Sequence, residues 1–157
     1  MSESAISVSI ITIACVICAA MVISAIYPAV SRAISSFVMS SSELSERIET
    51  SIEIIAEAND TTYFYIWVKN TGSTSIAAIE NTDVFFGETK NFRRIPYDAA
   101  LSTSPSWNYS IENDDGDGRW DTKETLKITI NQTPSSGDYY VKIVLYNAVS
   151  DEDEFSI

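Results

Sequence analysis

The fold class that the sequence predicts is α+β, with an N-terminal transmembrane helix followed by an antiparallel β-sandwich. Two observations predict it. Residues 4–31 contain no charged side chain, and most of residues 5–27 are Ile, Val, Ala, Met or Cys. From about Ser51 onward, apolar and polar residues alternate in short runs that end at Asn, Asp or Gly, a pattern typical of strands joined by turns.

Residues 5–27 are the predicted membrane span, and residues 1–4 form a short tail before it. A helix of about 22 residues is about 33 Å long, enough to cross the hydrocarbon core of a bilayer. The alternative is a cleaved signal peptide, which would have a basic leader and a shorter apolar run. Because residues 1–4 contain no base, we expect the helix to be retained as an anchor. Small residues recur four positions apart along it, which favours homo- or hetero-oligomers.

Residues 28–50 are predicted to form a juxtamembrane helix or spacer. Apolar residues recur there at helical spacing, with charged residues between them. Pro28 predicts a kink. The serines at 40–42 predict an interruption, with Ser42 capping a second helical segment.

Residues 51–157 are predicted to form a separate sandwich domain. The strongest predicted strand, 62–69, is rich in β-branched and aromatic residues. The other predicted strands are shorter, and the acidic tail ends in a predicted edge strand. Seven or eight short strands at this spacing indicate an immunoglobulin-like sandwich. The predicted strands are 51–58, 62–69, 76–79, 83–86, 92–95, 107–111, 125–130 and 139–146, with the edge strand at 154–157.

The charge and the composition exclude several functions. The chain has 22 acidic and 10 basic residues, and this acidity argues against nucleic acid as a partner, since binding it requires a basic surface. There is no histidine, and both cysteines, Cys15 and Cys18, lie in the apolar span, so the usual nucleophile–base pairs are missing. We therefore expect no enzymatic activity. A membrane-tethered ligand-binding receptor is an alternative, because a sequence cannot show a pocket.

An acidic loop at residues 113–124 is the one site-like motif. It resembles the twelve-residue calcium loop of EF-hand proteins, with a glycine, Gly118, at the sharp-turn position six. Oxygen ligands fall at positions one, three, five, seven, nine and twelve, and this spacing predicts a structural Ca²⁺ site. The alternative is a solvated turn between strands. The candidate ligands are Asn113, Asp115, Asp117, the Arg119 carbonyl, Asp121 and Glu124.

Three N-x-Ser/Thr sequons lie in the predicted sandwich, at Asn59, Asn108 and Asn131. Such sequons are glycosylation candidates in protein that faces the exterior. They favour an extracytoplasmic sandwich.

Several stretches carry a resemblance to a known class of archaeal proteins. These are the helix at 5–27, the strand and turn at 65–72, the Arg-Ile-Pro-Tyr run at 94–97, and residues 107–112 leading to Trp120. With them the chain resembles the archaellins, which are type IV pilin-like. Within that class it is most similar to the archaellum accessory (stator) proteins, G first and F next.

The resemblance implies a structural role in archaeal motility. Proteins of this kind sit in the cell membrane with the sandwich in the pseudoperiplasm, and they anchor the archaellum motor to the cell envelope by protein–protein contacts. The implied partners are accessory protein F, the motor complex, membrane lipid and, indirectly, the surface-layer protein. Filament archaellins carry a basic residue and a glycine before the helix, and residues 1–4 lack both. This favours an accessory protein, with a filament subunit as the alternative.

Overall fold

The computed structural model describes residues 2–157, with side chains from Ile6 onward. The chain divides into two compact units, Met1–Ser42 and Glu43–Ile157. The first unit is helical. The second contains the end of that helix and the whole sandwich.

Helix α1 extends from Ser2 to Glu49 without interruption. The expected break at the serines 40–42 is absent, and Pro28 lies inside the helix. A serine lowers helix stability by only about 0.5 kcal/mol relative to alanine, so three of them do not end a long helix. The large apolar side chains of the described part are exposed, as Ile6 (60%) and Ile23 (66%) illustrate. The helix is long and apolar enough to cross a membrane.

The sandwich consists of two four-stranded sheets in which all neighbouring strands are antiparallel. Sheet 1 has the order β1-β2-β6-β5, and sheet 2 has the order β4-β3-β7-β8. This is an immunoglobulin-like arrangement, as the sequence predicts. The strands are β1 (Ile52–Asn59), β2 (Tyr63–Asn70), β3 (Asp83–Glu88), β4 (Asn91–Ile95), β5 (Ser106–Glu112), β6 (Thr125–Asn131), β7 (Asp138–Val144) and β8 (Ser150–Ser156).

The core forms from the inward-facing side chains of the strands, in which buried and more exposed residues alternate along the chain. In sheet 1, Ile66 of β2 is paired with Ile128 of β6, and both are fully buried. Aromatic rings fill the space between the sheets, with Phe64 of sheet 1 packed against Phe86 (ring centroids 4.8 Å apart) and Tyr139 (4.7 Å) of sheet 2. The period-two pattern of the sequence therefore identifies the buried faces correctly.

One predicted strand is wrong. Residues 76–79 form no strand, since Ile76 makes a single bridge to Trp120 and a short 3₁₀ helix covers Ile79–Asn81. Ala78 has a left-handed φ of 52°, which ends the extended conformation. Both isoleucines are nonetheless buried, because this segment crosses from sheet 1 to sheet 2 over the core.

Candidate interaction surfaces and the acidic loop

The last turn of α1 is bonded to the sandwich within the second unit. Thr50, which is buried, donates its hydroxyl to the Glu46 carbonyl at 2.7 Å and accepts a hydrogen bond from Asn147 Nδ2 at 2.9 Å. The Tyr146 hydroxyl donates to Glu46 Oε1 at 2.5 Å, and this bond is the main reason why the pKa of Tyr146 is raised. The turn between β7 and β8 thus holds the end of the helix.

The turn after β2 holds the same helix end from another side. The backbone N–H of Ser73 donates to the Glu49 carbonyl at 2.8 Å, and the N–H of Gly72 donates to the Ser51 carbonyl at 3.0 Å. Gly72 is required by this approach, because a Cβ there would lie 2.5 Å from Glu49 O and 2.6 Å from Ser51 N. The orphan carbonyls of the helix end are therefore partly satisfied by the sandwich.

The acidic loop is anchored at its C-terminal end. Trp120 is fully buried, and its indole N–H donates to the Glu124 carbonyl at 3.1 Å. The side chain of Asn70, also fully buried, donates to the carbonyls of Trp120 (3.0 Å) and Thr74 (2.9 Å). These bonds fix the base of the loop, whereas residues 112–119 are exposed.

The carboxylates predicted as metal ligands come together in the loop. Ligand oxygens of Asp115, Asp117 and Asp121 lie within 4.8 Å of one another, and so do those of Asp114, Asp115 and Glu124. The sequence did not predict Asp114 as a member. Of the other predicted ligands, Asn113 has a left-handed φ of 62°, and the backbone N–H of Arg119 donates to Asp117 Oδ1 at 2.8 Å.

Two features of this cluster bear on ion binding. Glu124 is only 9% exposed, and one of its oxygens accepts the Asp121 N–H at 2.8 Å. Asp121 Oδ1 is buried without a hydrogen-bond partner among the described residues. Oxygen-only clusters of this kind suit a hard cation such as Ca²⁺. Asx-type bonds, such as that from the Gly116 N–H to Asp114 Oδ1 (2.9 Å), also suit the bare turn, so metal binding stays a prediction.

The three sequons occupy different environments. Asn131 donates its side-chain amide to the carbonyls of Leu101 (2.8 Å) and Thr103 (2.9 Å), which ties it to the β4–β5 connection. Asn108 is half-buried and donates to the Ala99 carbonyl at 3.3 Å. Asn59, at the end of β1, is exposed. Asn59 is therefore the most accessible candidate.

The outer edges of the sandwich contain charged groups that the sequence pattern does not mark as a site. Asp151 of β8 accepts the Ile54 N–H of β1 at 2.7 Å, beside a β-bulge between Ile54 and Ala56. Further along, Glu57 lies beside Asp153, and its pKa is raised, first by burial and then by that neighbouring carboxylate. The acidic run at 151–154 was the available sequence signal, but Ile54 of β1, which bonds Asp151, is 97 residues away in the sequence.

These features define a protein with an apolar helix of membrane-spanning length and an immunoglobulin-like sandwich. The model of the archaeal-type flagellin family matches residues 2–155, and the chain belongs to that family. It is 36% identical over 167 aligned positions to an uncharacterized protein of Archaeoglobus fulgidus, with 99% of each chain covered.

Solved structures of archaellum proteins have the same fold. The periplasmic stator protein FlaG of Sulfolobus acidocaldarius matches with a TM-score of 0.57 and 23% identity, over 68% of this chain and 99% of that one. A complex of FlaF and FlaG from the same organism matches equally well, over 89% of the matched chain. The archaeal flagellin FlaB1 of Methanocaldococcus jannaschii has a TM-score of 0.50 at 14% identity, over 68% of this chain and 89% of that one. At these identities the likeness establishes the fold.

Proposed function

We propose that the chain is a structural component of the archaellum stator, similar in role to FlaG, that anchors the motor to the cell envelope through protein–protein contacts. One observation carries the proposal: the match to FlaG, which covers 99% of that chain. Family membership supports the link to the archaellum.

The helix supplies the membrane attachment in this proposal. Its large apolar side chains are exposed, Met21 (66%) and Val16 (64%) among them, and exposing apolar area to water costs about 25 cal/mol per Å². Lipid removes that cost, so we expect α1 to span the bilayer once. FlaG is a periplasmic stator protein, and its location supports an extracytoplasmic sandwich here.

The proposed protein partner is an F-type accessory protein. The solved FlaF–FlaG complex supports this choice, because its matched chain has the same fold as this sandwich. Contact with the motor complex, and indirectly with the surface layer, completes the anchoring role.

A filament subunit is the second candidate. The likeness to flagellin FlaB1 favours it, since the same sandwich occurs in a filament protein. The two candidates differ in where the protein resides: a stator component stays in the membrane in few copies, whereas a filament subunit leaves with the filament.

Fractionation of cells with and without the protein tests the proposal. Filaments are sheared off, and the protein is then quantified in the sheared and the membrane fractions. We expect it in the membrane fraction, and we expect deletion to stop swimming until the full chain is restored. Recovery mainly from sheared filaments would support the second candidate instead. Full swimming of the deletion strain would contradict both.

A further inference from the structure

Arg32 is the one charged residue in a long stretch of helix α1. Residues 4–31 before it and residues 33–42 after it contain no acidic or basic side chain, and the charges that flank this stretch, Glu3 and Glu43, are both acidic. The Arg32 side chain is exposed and makes no hydrogen bond or ion pair with any residue that the structure describes. The helix therefore presents a single isolated cation on an otherwise uncharged surface.

The position of Arg32 along the helix matches the edge of a bilayer. The uncharged run at 4–31 contains 28 residues, which form a helix about 42 Å long. A bilayer is about 40–45 Å thick with its headgroup regions, and its hydrocarbon core is about 30 Å thick. When this run crosses the bilayer, Arg32 therefore lies among the headgroups of one leaflet, and position 3 lies among those of the other.

Tyr27 marks the same boundary independently. It precedes Arg32 by five positions, about 8 Å along the helix axis, and its side chain is 73% exposed. Tyrosine is enriched where the hydrocarbon core meets the headgroups, because its ring is apolar and its hydroxyl is polar. With Arg32 among the headgroups, Tyr27 lies at this boundary.

No carboxylate of the same helix is close enough to neutralise Arg32. The next acid along α1, Glu43, is 11 positions away, about 16 Å along the axis, whereas helical ion pairs join residues three or four positions apart. An unpaired charge at the edge of the hydrocarbon core is costly. A phospholipid phosphate lies at the required depth, and its oxygens accept two parallel hydrogen bonds from a guanidinium. Charge and depth together point to a phosphate as the partner.

A shallow groove on the helix surface surrounds the guanidinium. Pro28, Arg32 and Ser36 line it on successive turns of one helix face. The Ser36 hydroxyl has no hydrogen-bond partner among the described residues, so it is free to donate to a phosphate oxygen. The Ser35 hydroxyl, which also lines the groove, donates instead to the Ser31 carbonyl at 3.0 Å. Arg32 and Ser36 therefore both offer free donors to a ligand in the groove.

We propose that Arg32, assisted by Ser36, binds the phosphate of a membrane phospholipid and thereby fixes the depth of α1 in the bilayer. The inference rests on the proposed membrane attachment of this helix. Without the Arg32 charge, the uncharged run would extend over residues 4–42, a helix about 58 Å long. This is much longer than the bilayer thickness, so the helix would fit at many depths.

Lipid selectivity tests the binding site. The full chain is placed in nanodiscs that contain equal amounts of phosphatidylglycerol and digalactosyldiacylglycerol, an uncharged lipid without phosphate. Native mass spectrometry then counts the lipids of each kind that stay bound to the released protein. Arg32→Gln removes the cation, and Arg32→Lys keeps the charge without the planar fork. Arg47→Gln is the matched control, because it removes a base from the last turn of the same helix.

We expect the wild-type and Arg47→Gln chains to retain phosphatidylglycerol over the galactolipid by about fivefold or more. Arg32→Gln should lose most of this preference, and Arg32→Lys should fall between the two. Equal preference in the wild type and in Arg32→Gln overturns the proposal. A wild type without any preference also overturns it, and it favours an acidic residue of a neighbouring protein as the partner of Arg32.

The depth of the helix has its own test, in phosphatidylglycerol vesicles. In a chain with Cys15→Ser and Cys18→Ser, the substitution Ser40→Cys introduces a thiol that a membrane-impermeant maleimide labels from water. We expect Arg32→Gln to slow this labelling about fivefold, because the helix then sinks to bury its apolar residues beyond position 32. Ser45→Cys, which lies beyond the charge of Glu43, is the control and should label equally in both chains.

Extraction with alkaline carbonate separates the two ways in which this test fails. Release of the wild-type chain from the vesicles would contradict the membrane attachment itself, and the role of Arg32 with it. Firm retention of both chains, with equal labelling of Ser40→Cys in the wild type and in Arg32→Gln, would contradict only the role of Arg32. We expect both chains to be retained, since the apolar run at 4–31 is the same in each.

Discussion

The Tyr146 hydroxyl donates a hydrogen bond to Glu46 Oε1 at 2.5 Å, although the two residues are 100 positions apart in the sequence. Beside it, Asn147 donates to the Thr50 hydroxyl at 2.9 Å. The turn between β7 and β8 therefore fixes the end of the helix as part of the sandwich unit. This attachment has measurable consequences for stability.

Replacing Thr50 with valine removes the hydroxyl while preserving the shape. Thr50 is buried and loses two hydrogen bonds, so we expect the sandwich to be destabilised by about 1–2 kcal/mol. Urea unfolding followed by tryptophan fluorescence measures this, since Trp67, Trp107 and Trp120 are the three tryptophans and all lie in the sandwich. Thr129→Val, on the outer face of β6, is the control and should cost less than about 0.5 kcal/mol.

Gly72→Ala tests the close approach of the β2 turn to the helix end. The new Cβ meets backbone atoms at 2.5–2.6 Å, so the backbone must shift, and we expect a loss of about 3 kcal/mol or more. Gly137→Ala is the matched control, because a Cβ there meets no atom of the described residues within 4 Å. Equal stability of the two variants would show that Gly72 is not constrained as described.

Much of the fold follows from local sequence pattern. Strand β2 is predicted to within one residue at each end, because its residues are almost all β-branched or aromatic. Residues 76–79 (Ile-Ala-Ala-Ile) are also apolar but form no strand, since their burial comes from a crossover above the core. A pattern of burial does not determine backbone conformation where tertiary packing supplies the burial.

The candidate sites also differ in whether they depend on local sequence or on contacts between distant strands. The clustering of carboxylates in the acidic loop could be predicted because the candidate ligands lie within twelve consecutive residues. The pairing of Glu57 with Asp153, and the bond from Ile54 N to Asp151, depend on which strands form the sheet edges. That arrangement results from long-range pairing, which period-two patterns leave open.

The raised pKa of Glu57 predicts a pH effect. Burial and Asp153 favour the protonated Glu57, so the folded chain holds this proton more tightly than the unfolded chain does. The contribution of this group to stability is therefore present at low pH and is lost as pH rises above the ordinary value of 4.5. We expect Glu57→Gln to remove this loss and to be more stable than wild type at pH 7.

Urea unfolding of both chains between pH 4 and pH 8 measures the difference. Comparison with the wild type removes the effect of other groups, such as Asp98, whose pKa is lowered to about 2, mainly by hydrogen bonding to Ser102. Glu53→Gln, an exposed change on the same strand, is the control. If the two glutamine variants show the same pH profile, Glu57 is not the group responsible.

Calcium addition tests the acidic loop. The predicted site is expected to bind Ca²⁺ and to raise the melting temperature of the sandwich, because the ion neutralises the clustered carboxylates. Calorimetric titration measures binding, and Asp115→Asn should weaken it at least about tenfold, whereas Glu53→Gln should leave it unchanged. The bare-turn interpretation is correct if neither heat nor melting temperature responds to Ca²⁺ at millimolar concentration.

The most direct test of the central claim, a membrane-anchored stator component, is to purify the tagged full chain from its own cells in mild detergent. Mass spectrometry then identifies and quantifies the proteins recovered with it. We expect recovery of an F-type accessory protein in comparable amounts, together with motor components. Recovery of filament subunits in large excess, with no F-type protein, would contradict it.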